Sequence, residues 1–188
     1  MNFIRTCISD VVVCEPKVFS DERGYFLESF NQEHLENFIG RKISFCQDNE
    51  SKSSYGVLRG LHFQKPPHTQ SKLVRVIAGS VLDLVVDLRE YSETFGKSVC
   101  VELSSENKKQ LFIPRGFAHG FIVLEDNTIF AYKVDNYYNK DSEGGLIYND
   151  NKLKIDWLVE TNQMVLSDKD KINPELMDVY KFKGELYD

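Results

Sequence analysis

The sequence predicts a mainly β protein, a jelly-roll sandwich or barrel with a few short peripheral helices. Three observations carry that expectation. Apolar residues through the middle of the 188-residue chain fall in short runs rich in Val, Ile, Leu, Phe and Tyr. Clusters of Gly, Asn, Asp and Ser separate the runs at strand-like spacing. The strand–helix alternation that a parallel sheet requires is missing. Closed or sandwiched antiparallel architectures of this kind can hold a small ligand inside.

Taken in order, strands are expected at residues 11–14, 25–30, 44–49, 58–64, 72–78, 81–88, 98–103, 110–113, 120–124 and 128–134. Ala78-Gly79-Ser80 and Glu125-Asp126-Asn127 read as hairpin turns, because Gly and Asn tolerate the positive φ such turns need. Asn31, followed by Leu35, Phe38 and Ile39 and then Gly40, carries the N-cap, the apolar stripe and the terminal glycine of a short helix. Residues 174–182 fit a C-terminal helix. No internal repeat, linker or composition break interrupts residues 1–188, which read as one β domain.

Composition removes several classes of function. With 41% hydrophobic and 28% charged residues the chain has a core to bury, and 11 Gly and 5 Pro are too few for a fibrous or low-complexity protein. No window approaches the roughly 18 apolar residues of a membrane span, and residues 1–14 lack the features of a signal peptide, so a cytoplasmic protein is expected. Cys7, Cys14, Cys46 and Cys100 lie far apart without a CxxC pair, which argues for reduced, buried thiols rather than a zinc site or disulfide framework. A net charge of −6 disfavours a nucleic-acid partner. It leaves open a phosphorylated small molecule, which needs only a few local cations.

The informative residues are polar groups set inside strands. Val81 to Leu88 reads VLDLVVDL, apolar on one parity and carrying Asp83, Val85 and Asp87 on the other. Alone, that second face reads as a solvent face. Its neighbours argue otherwise: Leu58-Arg59-Gly60-Leu61-His62-Phe63-Gln64 sets Arg, His and Gln into an apolar strand, and His119 follows the turn at Pro114-Arg115-Gly116. Such groups need partners or a purpose, and together they suggest a lined cavity. His34 reads as an exposed helical residue and His68 as a loop residue.

Pro114-x-Gly116-x-x-His119 resembles the second half of the cupin signature, and the stretch from Gly60 through Gly79 resembles the first. Metal-binding cupins carry His-x-His and then Glu in that first half. Here the second His is Gln64 and the Glu position holds Lys72, whose ammonium would cost several kcal/mol beside a divalent cation in a low-dielectric pocket. A metal-free cavity doing acid–base chemistry is expected.

The motifs Asp21-Glu22-Arg23-Gly24-Tyr25-Phe26, Gln47-Asp48-Asn49, Val57 through Gln64, Lys72-Leu73-Val74-Arg75 and Ile113 through Phe121 together resemble the cupin-fold nucleotide-sugar epimerase family typified by dTDP-4-dehydrorhamnose 3,5-epimerase. The resemblance continues through Tyr132-Lys133, Tyr137-Tyr138, Ser142-Glu143-Gly144 and Lys169-Asp170, so it spans nearly the whole chain. It implies a cupin jelly roll, a homodimer, no metal or organic cofactor, and a thymidine-diphosphate 4-keto-6-deoxyhexose as substrate. Relatives that invert carbon 3 alone, or that act as ketoisomerases, share most of these motifs. A non-catalytic nucleotide-sugar binding module is disfavoured by His62, Lys72 and Tyr132 occurring together.

The implied chemistry accounts for the residue types. A proton beside the 4-keto group is acidic because the anion delocalises onto the ketone oxygen. Inversion needs a base on one face, an acid on the other and a cation or donor at that oxygen. The resemblance assigns the base to His62, its carboxylate partner to Asp170, the acid to Tyr132 and the enolate contact to Lys72. It matches Arg23 and Arg59 to the pyrophosphate, where guanidinium binds phosphate oxygens bidentately. Phe26, Glu28, Gln47, Asn49, His119, Glu143 and Lys169 are implied as further substrate contacts, with Tyr138 stacked on thymine. One conflict remains: Arg59 and His62 are three residues apart, so a strict period of two puts them on opposite faces. If both line one site, Gly60 must mark a bulge or bend.

Overall fold

A computed structural model describes residues 1–187. Two antiparallel sheets form the body. The larger runs β1 (Asn2–Arg5), β2 (Val12–Glu15), β10 (Gln110–Ile113), β7 (Lys72–Ala78), β12 (Thr128–Val134) and β5 (Gln47–Ser53) in spatial order. The smaller runs β13 (Glu143–Gly145), β6 (Leu58–Gln64), β11 (Phe117–Val123), β8 (Ser80–Asp87) and β9 (Ser98–Ser104). A separate ribbon pairs β3 (Val18–Asp21) with β4 (Gly24–Leu27). The β class and the jelly-roll reading are both met.

The core follows from alternation on these strands. Val74, Val76 and Phe130 from the larger sheet meet Val81, Val85, Phe117 and Phe121 from the smaller one in one buried cluster. The opposite parity of the smaller sheet is buried too. Leu58, Leu82, Leu84, Val86 and Ile122 pack under Leu146, Trp157, Val159, Leu176 and Phe182 of the C-terminal segment. Every residue of β8 is therefore buried, which is why VLDLVVDL lacks a polar face: a strand covered on both sides reads as a nearly continuous apolar run. Helix α1 (Gln32–Ile39) covers the outer face of the larger sheet, where Leu35 joins Val12, Leu73 and Phe112. Its ends match expectation. Asn31 Oδ1 accepts from the His34 N–H at 3.1 Å, and Gly40 takes φ +76° while its N–H caps Glu36 O.

Several expectations need correction. Gly79 and Asn127 do adopt positive φ, but the turns they make are not hairpins. Each joins a strand of one sheet to a strand of the other, β7 to β8 and β11 to β12. Turn chemistry reports local backbone direction, whereas pairing is decided by which faces are buried. The helix expected at 174–182 is also absent. Leu176, Val179 and Phe182 recur every third residue because an irregular layer lies over the smaller sheet. Its backbone is satisfied by other segments, with Phe182 N–H donating to Leu88 O and Ile147 N–H to Pro174 O. Strands expected at 25–30, 44–49 and 120–124 lie instead at Gly24–Leu27, Gln47–Ser53 and Phe117–Val123, and Asn2–Arg5, Val18–Asp21 and Glu143–Gly145 were not anticipated. Only Cys14 among the cysteines is buried, its thiol pushed up to about 12 by desolvation. Cys7 lies in the β1–β2 connection, Cys46 just ahead of edge strand β5 and Cys100 on edge strand β9, all exposed. Among the described residues no helix is long and apolar enough to cross a membrane.

Candidate active site

A cavity of about 650 Å³ opens between the two sheets. Arg59, His62, His119 and Phe121 enter it from the smaller sheet, and Asn49, Lys72, Phe130 and Tyr132 from the larger. Leu166, Ser167 and Asp170 of the C-terminal segment complete the wall.

Arg59 and His62 share this cavity because the ladder between β6 and β11 slips. Arg59 stands opposite Phe121 and His62 opposite His119, so three steps along β6 match two along β11. The slip returns both side chains to one face, as the conflict in parity required. Gly60 sits inside it with φ +128°, and a Cβ there would lie 2.6 Å from Gly120 Cα. Only glycine tolerates both the conformation and the approach. Arg59 is then steadied by donating from Nε to Ser53 Oγ at 3.2 Å.

His62 Nε2 lies 2.6 Å from Asp170 Oδ1. Asp170 is almost fully buried, and its other oxygen accepts from Ser167 Oγ at 2.9 Å. Burial pushes the Asp170 carboxyl up, but the hydrogen bond and charge of His62 and the Ser167 hydroxyl outweigh it, so the net displacement is downward. An ionised Asp170 accepts from Nε2–H, which leaves the lone pair on Nδ1.

Lys72 is pulled down to about 8 by desolvation, opposed by the charge of Asp83. Tyr132 is pushed above its ordinary value by burial, opposed by Arg59. Neither the Lys72 ammonium nor the Tyr132 hydroxyl has a hydrogen-bond partner among the described residues, and both belong to the cavity wall. His119 Nε2 lies 2.9 and 3.1 Å from the two oxygens of Asp83. Burial holds His119 below the usual histidine range against the pull of Asp83, with Lys72 and His62 adding to the depression.

The other expected contacts lie outside this wall. Arg23 is exposed on the β3–β4 ribbon and paired with Asp21, and Phe26 on the same ribbon is 69% exposed. Glu28 accepts from Asn31 Nδ2 at 3.2 Å. Gln47 donates to Asn49 Oδ1 at 2.8 Å, which ties it to a cavity residue. Lys169, next to Asp170 in the chain, pairs with Glu143, and exposed Tyr138 stands beside that carboxylate. Sequence reasoning missed the support roles of Ser53 and Ser167 and the pairing of Asp83 with His119. For Asp83 a signal existed, a carboxylate inside a strand with no polar face.

Among the described residues no group of three or more His, Cys, Asp or Glu side chains is placed to hold a metal ion. Gln64, at the position of a cupin metal ligand, is buried and accepts from the Asn139 N–H at 2.9 Å.

Residues 5–178 match the family model described as dTDP-4-dehydrorhamnose 3,5-epimerase. A Shigella flexneri protein of that name is 53% identical over 182 residues, spanning 97% of this chain and 99% of its own. The crystal structure of the enzyme of that name from Elizabethkingia anophelis superposes with a TM-score of 0.92 at 53% identity, over 95% of this chain and 97% of that one. A Legionella pneumophila dTDP-6-deoxy-D-glucose-3,5-epimerase, solved with dTDP-4-keto-L-rhamnose bound, gives a TM-score of 0.92 at 46% identity, covering 97% and 99% of the two chains. With its two-sheet cavity and a family match along nearly its whole length, this chain belongs to the dTDP-4-dehydrorhamnose 3,5-epimerase family.

Proposed function

We propose that this protein inverts carbons 3 and 5 of dTDP-4-dehydro-6-deoxy-D-glucose, giving dTDP-4-dehydro-L-rhamnose in dTDP-L-rhamnose biosynthesis. The observation that carries this reading is the division of groups across one cavity: His62 on one sheet, paired with Asp170 of the C-terminal segment, and on the other sheet the Lys72 ammonium and Tyr132 hydroxyl, neither with a partner among the described residues. His62 Nδ1 takes the proton from a carbon beside the ketone. The electron pair moves onto the ketone oxygen, where Lys72 meets the developing charge. Tyr132 returns a proton to the other face of that carbon, and solvent reprotonates the phenolate while His62 releases its proton. The cycle then runs again at the second carbon. No step draws on a metal or organic cofactor.

Arg59, aided by Arg23, holds the pyrophosphate. Asn49, Gln47, Glu28, Glu143, Lys169 and His119 serve the sugar and base, and Tyr138 stacks on thymine. Arg23 and Phe26 stand outside this chain's cavity, on a ribbon that exposes Phe19, Tyr25 and Phe26. The protein works as a homodimer in which that ribbon meets a second copy. A groove of about 320 Å³ lined by Phe30, Arg75, Ile77 and Lys133 could receive it.

Incubation with the keto-sugar nucleotide in heavy water tests the reading. Product carrying solvent deuterium at both carbons 3 and 5 supports it. Deuterium at carbon 3 alone makes the protein a 3-epimerase, and movement of the keto group makes it a ketoisomerase.

A further inference from the structure

Asp83 stands behind the cavity wall as the partner of His119, and its place in the reaction is still unexplained. It is fully buried on β8, an interior strand of the smaller sheet, and His119 is its only direct hydrogen-bond partner among the described residues. A carboxylate so buried is expensive unless well paired. Its neighbours along the strand, Val81 and Val85, belong to the apolar core, so an aliphatic side chain would suit the site on packing grounds alone. The charge serves something other than folding.

We infer that Asp83 is a positioning residue: by accepting Nε2–H of His119 it fixes the tautomer of that imidazole and leaves Nδ1 bare, a hydrogen-bond acceptor for a substrate hydroxyl beside the unpartnered Lys72 ammonium. The inference deepens the epimerase reading and rests on it. A bare Nδ1 cannot donate to the enolate oxygen, so the two groups divide the work. His119 holds a hydroxyl of the sugar, and Lys72 alone meets the ketone oxygen. Asp83 also opposes the loss of the Lys72 proton across the cavity. One carboxylate thereby sets an acceptor and a cation side by side.

The other titratable or charged groups facing this pair are His62 and Arg59 from β6, Tyr132 from β12, Glu50 from β5 and Asp170 from the C-terminal segment. Cys100 on β9 also feels the Asp83 charge. None of these groups is replaced in an Asp83 variant, and the Asp83 charge acts directly on Lys72, His119 and Cys100.

The test is Asp83→Asn beside wild type. The amide keeps the shape and an acceptor oxygen but removes the charge. Expected are a kcat lowered about 10- to 100-fold, a KM within about threefold and a basic limb of the kcat profile moved to lower pH, with Asp83→Glu restoring the limb in part. A folded Asn variant with kcat within threefold and an unmoved limb overturns the inference. A second measurement needs neither substrate nor variant. In ¹⁵N-labelled wild type, His119 should show a protonated Nε2 and a bare Nδ1 across neutral pH. A protonated Nδ1 overturns the inference even if the variant fails to fold. Absence of turnover by wild type would instead count against the epimerase reading, and the ¹⁵N result would still stand.

Discussion

In the proposed mechanism the two ring nitrogens of His62 have separate duties, Nε2 toward Asp170 and Nδ1 toward substrate. His62→Asn removes the base and leaves Arg59 in place, so kcat should fall by at least 10²-fold while nucleotide affinity, read by calorimetry with dTDP, changes less than about threefold. More than about a tenth of wild-type kcat in that variant would sink the assignment. Lys72 offers a different test. Its folded pKa of about 8 lies below that of a free lysine, so below pH 8 the chain holds a buried ammonium that the unfolded state would hold in water. Lys72→Met should abolish turnover yet raise stability by on the order of 1–3 kcal/mol at pH 7. That gain should narrow between pH 8 and about 10.5, where the folded wild type has already shed the proton and its unfolded chain has not. Urea melts at pH 7 and pH 10 measure both, and equal gains at the two pH values would contradict the account. Lys72 and Tyr132 were singled out by the family resemblance, whereas His62 was legible in the sequence as a polar group set into an apolar strand. The pairing of Asp83 with His119 was not, since no spacing within one strand says which residue of the next strand will face it.

Among the elements, β6 carries the site. Its glycine was legible as a necessity, because Arg59 and His62 could share a face only if the register slipped. Gly60→Ala places a Cβ against Gly120 Cα in a backbone conformation that alanine avoids. We expect a loss of stability on the order of 2–4 kcal/mol in urea unfolding, together with a rise in KM as Arg59 and His62 part company. A variant as stable and active as wild type would show that the slip does not depend on glycine. Helix α1 was legible for the same reason, since its caps at Asn31 and Gly40 are local chemistry. The turns at Gly79 and Asn127 were half legible. Their positive φ is local, but the crossing between sheets is set by tertiary burial. At residues 174–182, apolar spacing by threes suits a helix and an irregular covering layer alike, and only the apolar back of the smaller sheet, which this segment buries, decides between them.

In the whole molecule, the sandwich places His62 and Tyr132, the proposed proton acceptor and donor, on facing sheets, and the C-terminal segment brings Asp170 to the first of them. In the proposed homodimer the ribbon that carries Arg23 and Phe26 meets a second copy. Phe26→Ser together with Phe19→Ser should shift sedimentation from dimer toward monomer and raise KM. Unchanged sedimentation would remove the ribbon from the interface. The central claim is that His62 and Tyr132 act from opposite faces, and Tyr132→Phe tests it most directly. In heavy water, with NMR following carbons 3 and 5, this variant should still exchange substrate protons through His62 while inversion falls by at least 10²-fold, most at carbon 5. Normal inversion at both carbons, with exchange and product in step as in wild type, would contradict it.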